Sequence, residues 1–349
     1  MSHGPPNSVK NCYRFVKYHC MRRNCRPATT LGGPIIDFMR TAVCTLFEAH
    51  YHHGVAALVN SLVAAGYEGT VWVGHRGPLP AWLTRHAGFD SGAARLQVTP
   101  QVALQAVALD PPRSLNYEKP AFLRALLQVH DPAAEAVVYL DPDLVVKCAW
   151  SEIEAWFADG AVALVEDVDG ALPSDHPRRE RWRDFFAAHG EFPRRALERY
   201  YNSGFIGVPR VQEELLAAWQ RICELIAAHA GGALRERKLG APDHPFHSTD
   251  EDALNFALML SDAPLCTHGP EAMDFAPGGR HLSHAVGAAK PWQGRHFRGA
   301  LRGRPPSVAS QAFYRFTRGP LASLSPLTLV RRRVSMALAT ALGRVYRRR

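Results

Sequence analysis

The chain has 349 residues, 47% of them hydrophobic, and a net charge of +9, which is enough apolar material for one large core with a small appendage. No run of about 18 apolar residues appears, and no apolar stretch follows Lys10, Arg14 and Lys17; neither a membrane span nor a secretory leader is legible, and cytoplasmic residence is the expectation. Seven cysteines (12, 20, 25, 44, 148, 223 and 266), odd in number and in no CxxC pair, argue against a disulfide framework, and Cys12, Cys20 and Cys25 with His19 match no common zinc spacing.

Residues 1–40 mix Arg, Lys, Cys and Gly without periodicity and read as an extension. Order begins with an apolar run at Thr41–Phe47, expected as a buried strand, followed by a helix over Tyr51–Ala65 that Gly66 stops. Thr70–Val73 and Leu96–Val98 read as strands flanking a short helix at Pro80–Arg85. Pro120–Val129 predicts a helix, Ala136–Leu140 a buried strand, Ser151–Phe157 a helix and Ala161–Val165 a strand. The charged stretch Asp167–Arg195 reads as irregular. Beyond it come a strand at Phe205–Val208, an amphipathic helix at Val211–Ala228, a polar loop at Gly231–His247 and a helix at Asp250–Leu260. Alternating strands and helices predict an α/β fold with a mostly parallel sheet flanked by helices.

Charge divides the chain: Phe275–Arg349 holds fifteen Lys or Arg and no Asp or Glu, so residues 1–274 carry −6 of the net +9. The run lacks a zinc finger, a helix-turn-helix or an aromatic-basic sheet pattern, so nucleic acid is not expected. Between RRRV and VYRRR, Val334, Leu338, Leu342 and Val345 recur at helical spacing, giving an apolar stripe with cationic ends; an anionic membrane surface, met through residues 331–349, is the partner it suits. A solvated tail or a helix docked on the body would carry the same pattern.

Ligands of open α/β sheets sit beyond the C-terminal ends of the strands, and the strand Ala136–Leu140 runs into Asp141-Pro142-Asp143. In extended chain, positions i and i+2 share a face, and Pro142 stiffens the link, so both carboxylates can meet one hard cation. A plain turn can produce the same triplet. Here the pair is embedded in VVYLDPDLVV (137–146), where two unneutralised carboxylates would be costly. Downstream, HAVGAAKPW (284–292) presents an imidazole, a flexible glycine and an ammonium in one loop: His284 can complete a metal shell and Lys290 can meet a phosphate.

Five segments in order, TLFEAHY (45–51), YLDPDLVV (139–146), YNSGFIGV (201–208), TDEDALN (249–255) and HAVGAAKPW (284–292), resemble glycosyltransferase family 8, which includes glycogenin and bacterial lipopolysaccharide hexosyltransferases. The resemblance covers roughly residues 41–293. It implies a GT-A (nucleotide-diphospho-sugar transferase) fold and a retaining hexosyl transfer from a UDP-sugar, with Mn2+ or Mg2+ held by Asp141, Asp143 and His284. By matched position it puts Glu48 and Tyr51 at the uracil, Lys119 near the donor, Asp141, Gly287 and Lys290 at the diphosphate, and Asn202 and Asp250 at the donor sugar. Glu48 stands where the family often has Asp, and Lys119 where it often has Arg. At Asp250-Glu251 the usual Asp-Gln pair is changed, placing a carboxylate near the reacting carbon.

Glu251 can then act as a nucleophile, as a stabiliser of positive charge on the sugar, or, with Ser248, as half of a capping box at a helix start. The implied organisation is an extension (1–40), a catalytic domain (41–304) and a basic C-terminal helical tail (305–349). The expected acceptor is a saccharide or a lipid-linked saccharide, and the expected location is the cytoplasm or, peripherally, the inner face of the membrane. A sugar-nucleotide nucleotidyltransferase could share the sheet and the aspartates, but FEAHYHHG (47–54) is not its glycine-rich phosphate loop. A non-catalytic sugar- or lipid-binding module is the remaining alternative.

Overall fold

In chain order the elements are β1 (Thr41–Glu48), α1 (His52–Ala64), β2 (Gly69–Arg76), α2 (Ala81–Thr84), β3 (Phe89–Asp90), β4 (Arg95–Gln97), β5 (Val102–Ala108), α3 (Lys119–Ala125), β6 (Ala136–Leu140), β7 (Leu144–Val146) and α4 (Trp150–Glu154). They continue with β8 (Val162–Ala171), α5 (Pro177–Ala187), β9 (Arg199–Pro209), α6 (Glu213–His229), α7 (Thr249–Leu260), β10 (Leu265–His268), β11 (Leu282–His284), α8 (His296–Leu301), α9 (Val308–Arg315) and α10 (Pro326–Tyr346). This computed structural model describes residues 39–229, 246–294 and 296–346. The extension with its four cysteine and histidine candidates, most of the loop expected at Gly231–His247 and the last three arginines lie outside the described residues.

Nine strands form one sheet in the order β10, β8, β9, β6, β1, β2, β5, β4, β3. Its centre is parallel: β1 lies between β2 and β6, and β5 follows β2 in the same sense. Strand β9 enters antiparallel between β6 and β8, and β3 and β4 form an antiparallel edge. The expected strand at 96–98 is thus β4, which lies between β3 and β5 and is antiparallel to both, and its neighbour β5 carried too little β-branching to be read from the sequence. Helix α5 falls inside the stretch expected to be irregular; PRRERWRDFFA hides its buried face, Arg179, Trp182 and Phe186, among charges.

Both faces of the sheet are covered, as period-two burial requires. Ala42, Cys44, Leu46, Val137 and Tyr139 face one core beneath α3, α6 and α7, whose Leu216, Trp219, Ile222 and Leu254 complete it. Val43, Phe47, Val138 and Leu140 face the other, against Val55, Leu58, Val59 and Leu62 of α1. Each such fully buried apolar side chain contributes about 1.5–3 kcal/mol.

The segment 305–346 packs on the body rather than standing off. The Asn60 amide of α1 donates to the carbonyls of Phe316 and Leu321 and accepts from the Leu321 N–H. Helix α10 runs along α8, burying Met336 and Ala339, while Arg332 donates to the Trp292 carbonyl. Its opposite face is apolar and open: Leu327 is 79% exposed, Val330 57%, Val334 53%, Leu338 53% and Val345 58%. Leu342, expected in this stripe, is half-buried at its margin.

Helix α1 is pressed onto the Asp141–Asp143 turn at Gly54, where a Cβ would stand 2.0 Å from the Pro142 carbonyl oxygen and 2.8 Å from the Trp292 ring. Gly54→Ala should therefore destabilise the fold by about 2 kcal/mol through overpacking. Urea denaturation measures this, and an unchanged midpoint would show that the contact yields freely.

Candidate active site

The C-terminal ends of β1 and β6 lie side by side because the two strands are parallel neighbours, so Glu48 and Asp141 emerge at one edge of the sheet. From Asp141 the chain makes a four-residue turn with Pro142 at its second position, closed by the Leu144 N–H donating to the Asp141 carbonyl at 3.0 Å. β7 leaves the turn and pairs antiparallel with β11, setting His284 opposite Leu144; the Ala285 N–H extends the ladder to the Asp143 carbonyl at 3.0 Å. This two-stranded ribbon brings His284 onto a pair of aspartates more than a hundred residues earlier.

Within the cluster, His284 Nε2 stands 3.1 Å from Asp143 Oδ1 and 3.5 Å from Asp141 Oδ2. One ligand atom from each of the three residues lies within 4.8 Å of the other two, and all three side chains are buried. Gly204 of β9 makes room: a Cβ there would come 2.5 Å from His284 Cε1 and 2.9 Å from Asp141 Oδ2. Two carboxylates and an imidazole gathered this closely are a donor set suited to a divalent cation such as manganese.

Around this triad the buried charges are linked. Lys119 Nζ donates to Asp250 Oδ2 (2.9 Å) and to the Ser203 hydroxyl and carbonyl, and lies 3.3 Å from Asp141 Oδ1. Lys290 Nζ donates to Asp143 Oδ2 and to the Ala285 carbonyl. Burial works against the charge of Asp143, yet His284 and Lys290 hold its carboxyl below the usual carboxylate range. On β9 the Asn202 amide donates to Asp167 Oδ1 and to Glu251 Oε1, both at 2.9 Å, while its oxygen accepts from the Gly204 N–H. Burial, with Asp167 and Asp250 nearby, pushes the Glu251 carboxyl well above its ordinary range.

The site residues expected from the sequence therefore converge in part. Asp141, Asp143, His284 and Lys290 form one contact group; Lys119 joins it to Asp250, and Asn202 meets Glu251. Tyr51 borders the triad, with Lys290 Nζ 5.6 Å from its ring centre. Glu48, Tyr51 and Asp141 line a slot of about 60 Å3, but Glu48 Oε2 is taken up by the Arg76 guanidinium. Gly287 has φ +90°, a conformation glycine adopts readily, and bends the loop between His284 and Lys290. The capping box does not form: Ser248 makes no side-chain cap, and its N–H donates to Asp252 Oδ2 instead.

Sequence reading missed Asp167, Arg76, Ser203 and Asn116. The buried Asn116 Nδ2 in the slot has no hydrogen-bond partner among the described residues. Asn255, the last residue of TDEDALN, is structural: its amide exchanges hydrogen bonds with the Tyr201 backbone, fixing α7 against β9.

No known family profile and no curated protein matches the sequence. Among solved structures, WbbM, a bifunctional glycosyltransferase, superposes with a TM-score of 0.51 at 16% identity over 86% of this chain and 52% of that one. The fold is the GT-A glycosyltransferase fold. The chain spans about half the length of WbbM. The galactosyltransferase LgtC, solved with donor and acceptor sugar analogues, gives a TM-score of 0.48 at 15% identity, covering 83% of this chain and 99% of that one. GlyE of Streptococcus pneumoniae TIGR4 gives 0.46 at 10% identity, covering 86% and 64%.

Two outcomes follow from the buried charges. Lys119→Met strands Asp250 and Asp141 and should cost about 3 kcal/mol or more in unfolding free energy by denaturant titration. Because the native Glu251 carboxyl binds its proton more tightly than in the unfolded chain, stability should fall as pH rises from its ordinary value of 4.5 toward the raised one. Glu251→Gln should remove that fall and melt higher than the parent at neutral pH; parallel melting curves across pH would contradict the shift.

Proposed function

We propose that the protein is a metal-dependent, retaining hexosyltransferase that moves a sugar from a UDP-hexose to a hydroxyl of a glycan or lipid-linked saccharide. The observation that carries this reading is the buried Asp141, Asp143 and His284 group at the C-terminal edge of a parallel sheet in a glycosyltransferase fold. Asp141, Asp143 and His284 would hold manganese, with magnesium as a substitute, and the cation would supply charge that neutralises the departing diphosphate. Lys290 and the Gly287 bend lie beside it on the same loop, suited to the diphosphate oxygens. Tyr51 and the slot beside β1 would take the uracil; Asn116 offers an unused amide donor there, and Glu48 lines the slot with its Oε2 held by Arg76.

At the sugar, Asp250 is held in place by Lys119 and Ser203, and Asn202 presents its amide between Asp167 and Glu251. A carboxyl whose burial favours its protonated form is a weakened nucleophile, which supports Glu251 as a positioning group; the acceptor hydroxyl then attacks the anomeric carbon from the face the diphosphate leaves, and its proton passes to the departing diphosphate. Glu251→Gln should change kcat by less than about tenfold with donor affinity intact, whereas a loss of about a hundredfold or more would assign it the covalent role.

The exposed apolar face of α10, flanked by Arg331 and Arg344, supports contact with an anionic membrane surface. No described helix is long and apolar enough to cross a membrane. Replacing both Val334 and Leu338 by Asp should abolish flotation with phosphatidylglycerol vesicles while leaving the fold intact; undiminished flotation removes the idea.

The donor premise is tested by calorimetric titration with UDP, with and without manganese. Binding that needs both manganese and Asp143 is expected, so Asp143→Ala should abolish it. Binding by neither protein under any condition overturns the nucleotide-sugar reading.

A further inference from the structure

Beyond the loop that carries His284 and Lys290 lies a cleft of about 710 Å3, closed on its far side by α8, the turn after it and the start of α9. Its ionisable lining is Lys290, His296, Arg298, Arg302 and Arg304, and no carboxylate contributes to it. No Asp or Glu occurs in the sequence from Phe275 onward, so no acidic residue of these elements can pair with the three arginines. Among the described residues, Arg298, Arg302 and Arg304 form no ion pair and no side-chain hydrogen bond.

A groove of nearly the same size, about 720 Å3, elsewhere on the surface shows the contrast. Its two arginines, Arg194 and Arg221, are neutralised by Asp262 and Glu191. The cleft beside the triad instead keeps three guanidiniums on a concave wall with no counter-ion among the described residues, although each bears the mutual repulsion of its neighbours. Planar forks of N–H donors suit tetrahedral phosphate oxygens, which they bind in bidentate pairs.

Position narrows the ligand. None of the residues lining the slot beside β1 lines this cleft; Gly287 and Lys290, which the donor reading puts at the diphosphate, form its near rim, and the three arginines lie on the wall beyond them. At one end Lys290 joins the cleft to Asp143. At the other, Pro305 touches α10, where a Cβ at Gly343 would stand 2.5 Å from the Pro305 Cβ. The cleft therefore runs from the triad to the helix whose outer face is apolar.

We propose that this cleft is a phosphate-binding subsite for the acceptor, which makes the acceptor a phosphorylated saccharide. Its role as an acceptor site rests on the transferase reading above; its affinity for phosphate does not. The phosphate could belong to a soluble sugar phosphate or to a lipid headgroup, and the two sources separate in the test.

Full-length protein and the double variant Arg302→Gln/Arg304→Gln, both exposed positions, are titrated with glucose 6-phosphate, with glucose, and with phosphatidylcholine vesicles lacking or containing phosphatidic acid. The expected result is binding of a phosphate-bearing probe but not of glucose, weakened about tenfold for each guanidinium removed. Binding of glucose 6-phosphate assigns a soluble acceptor; a response only to phosphatidic acid assigns a headgroup. UDP with manganese should bind the variant as it binds the parent. Weakened UDP binding in the variant overturns the proposal, because the cleft then serves the donor diphosphate. Failure of both phosphate probes on the parent also overturns it. If the parent binds glucose 6-phosphate but not UDP, the phosphate site stands and the transferase reading falls.

Discussion

The carboxylates gathered at one edge of the sheet are the constraint on which the surrounding structure depends. Asp141, Asp143 and Asp250 are nearly out of contact with water, and Asp167 and Glu251 stand close by. Isolated charges in such surroundings are too costly to keep, so the fold must bring positive charge and hydrogen-bond donors to them. Two ammonium groups, Lys119 from the start of α3 and Lys290 from the loop after β11, supply part of it. Two lysines do not balance five acidic groups. The deficit shows in Glu251, whose carboxyl is pushed well above its ordinary range, and a divalent cation among Asp141, Asp143 and His284 would compensate the rest.

Close approach of backbone is the second requirement, and glycine meets it at two places. Gly54 lets α1 lie directly on the Asp141–Asp143 turn, and Gly204 lets β9 pass the triad without filling it. With these contacts the turn is clamped between α1, the β7 and β11 ribbon and β9. A frame of this kind holds the Asp141, Asp143 and His284 donor atoms close together, the kind of preorganisation on which electrostatic stabilisation depends.

Charge is arranged by sign as well as by place. The acidic centre belongs to residues 1–274, and the basic rim to the chain after Phe275. The acidic centre and the basic cleft therefore present fields of opposite sign a few residues apart on the loop that carries His284 and Lys290. The same basic segment packs one face of α10 on the body and leaves an apolar face outward, placing the rim, the cleft and the apolar stripe in one continuous region.

By itself the sequence determined the α/β architecture, the strand ending in Asp141, and the candidate metal ligands. Strongly periodic or uniformly apolar runs such as AVVYL carry their secondary structure locally, and five short segments in a recognisable order carried the resemblance. Less was legible where burial depends on distant partners. The edge strands, antiparallel β9 and helix α5, with its buried Arg179, take their form from neighbours that no local window contains. Only the tertiary structure decided that Glu251 meets Asn202 rather than capping α7, that Glu48 pairs with Arg76, and that Arg298, Arg302 and Arg304 share a cleft with Lys290 and have no ion-pair partner among the described residues. Each is a question of which charge lies nearest in space, and Coulomb and hydrogen-bond energies depend on that distance, whereas separation along the chain leaves it open.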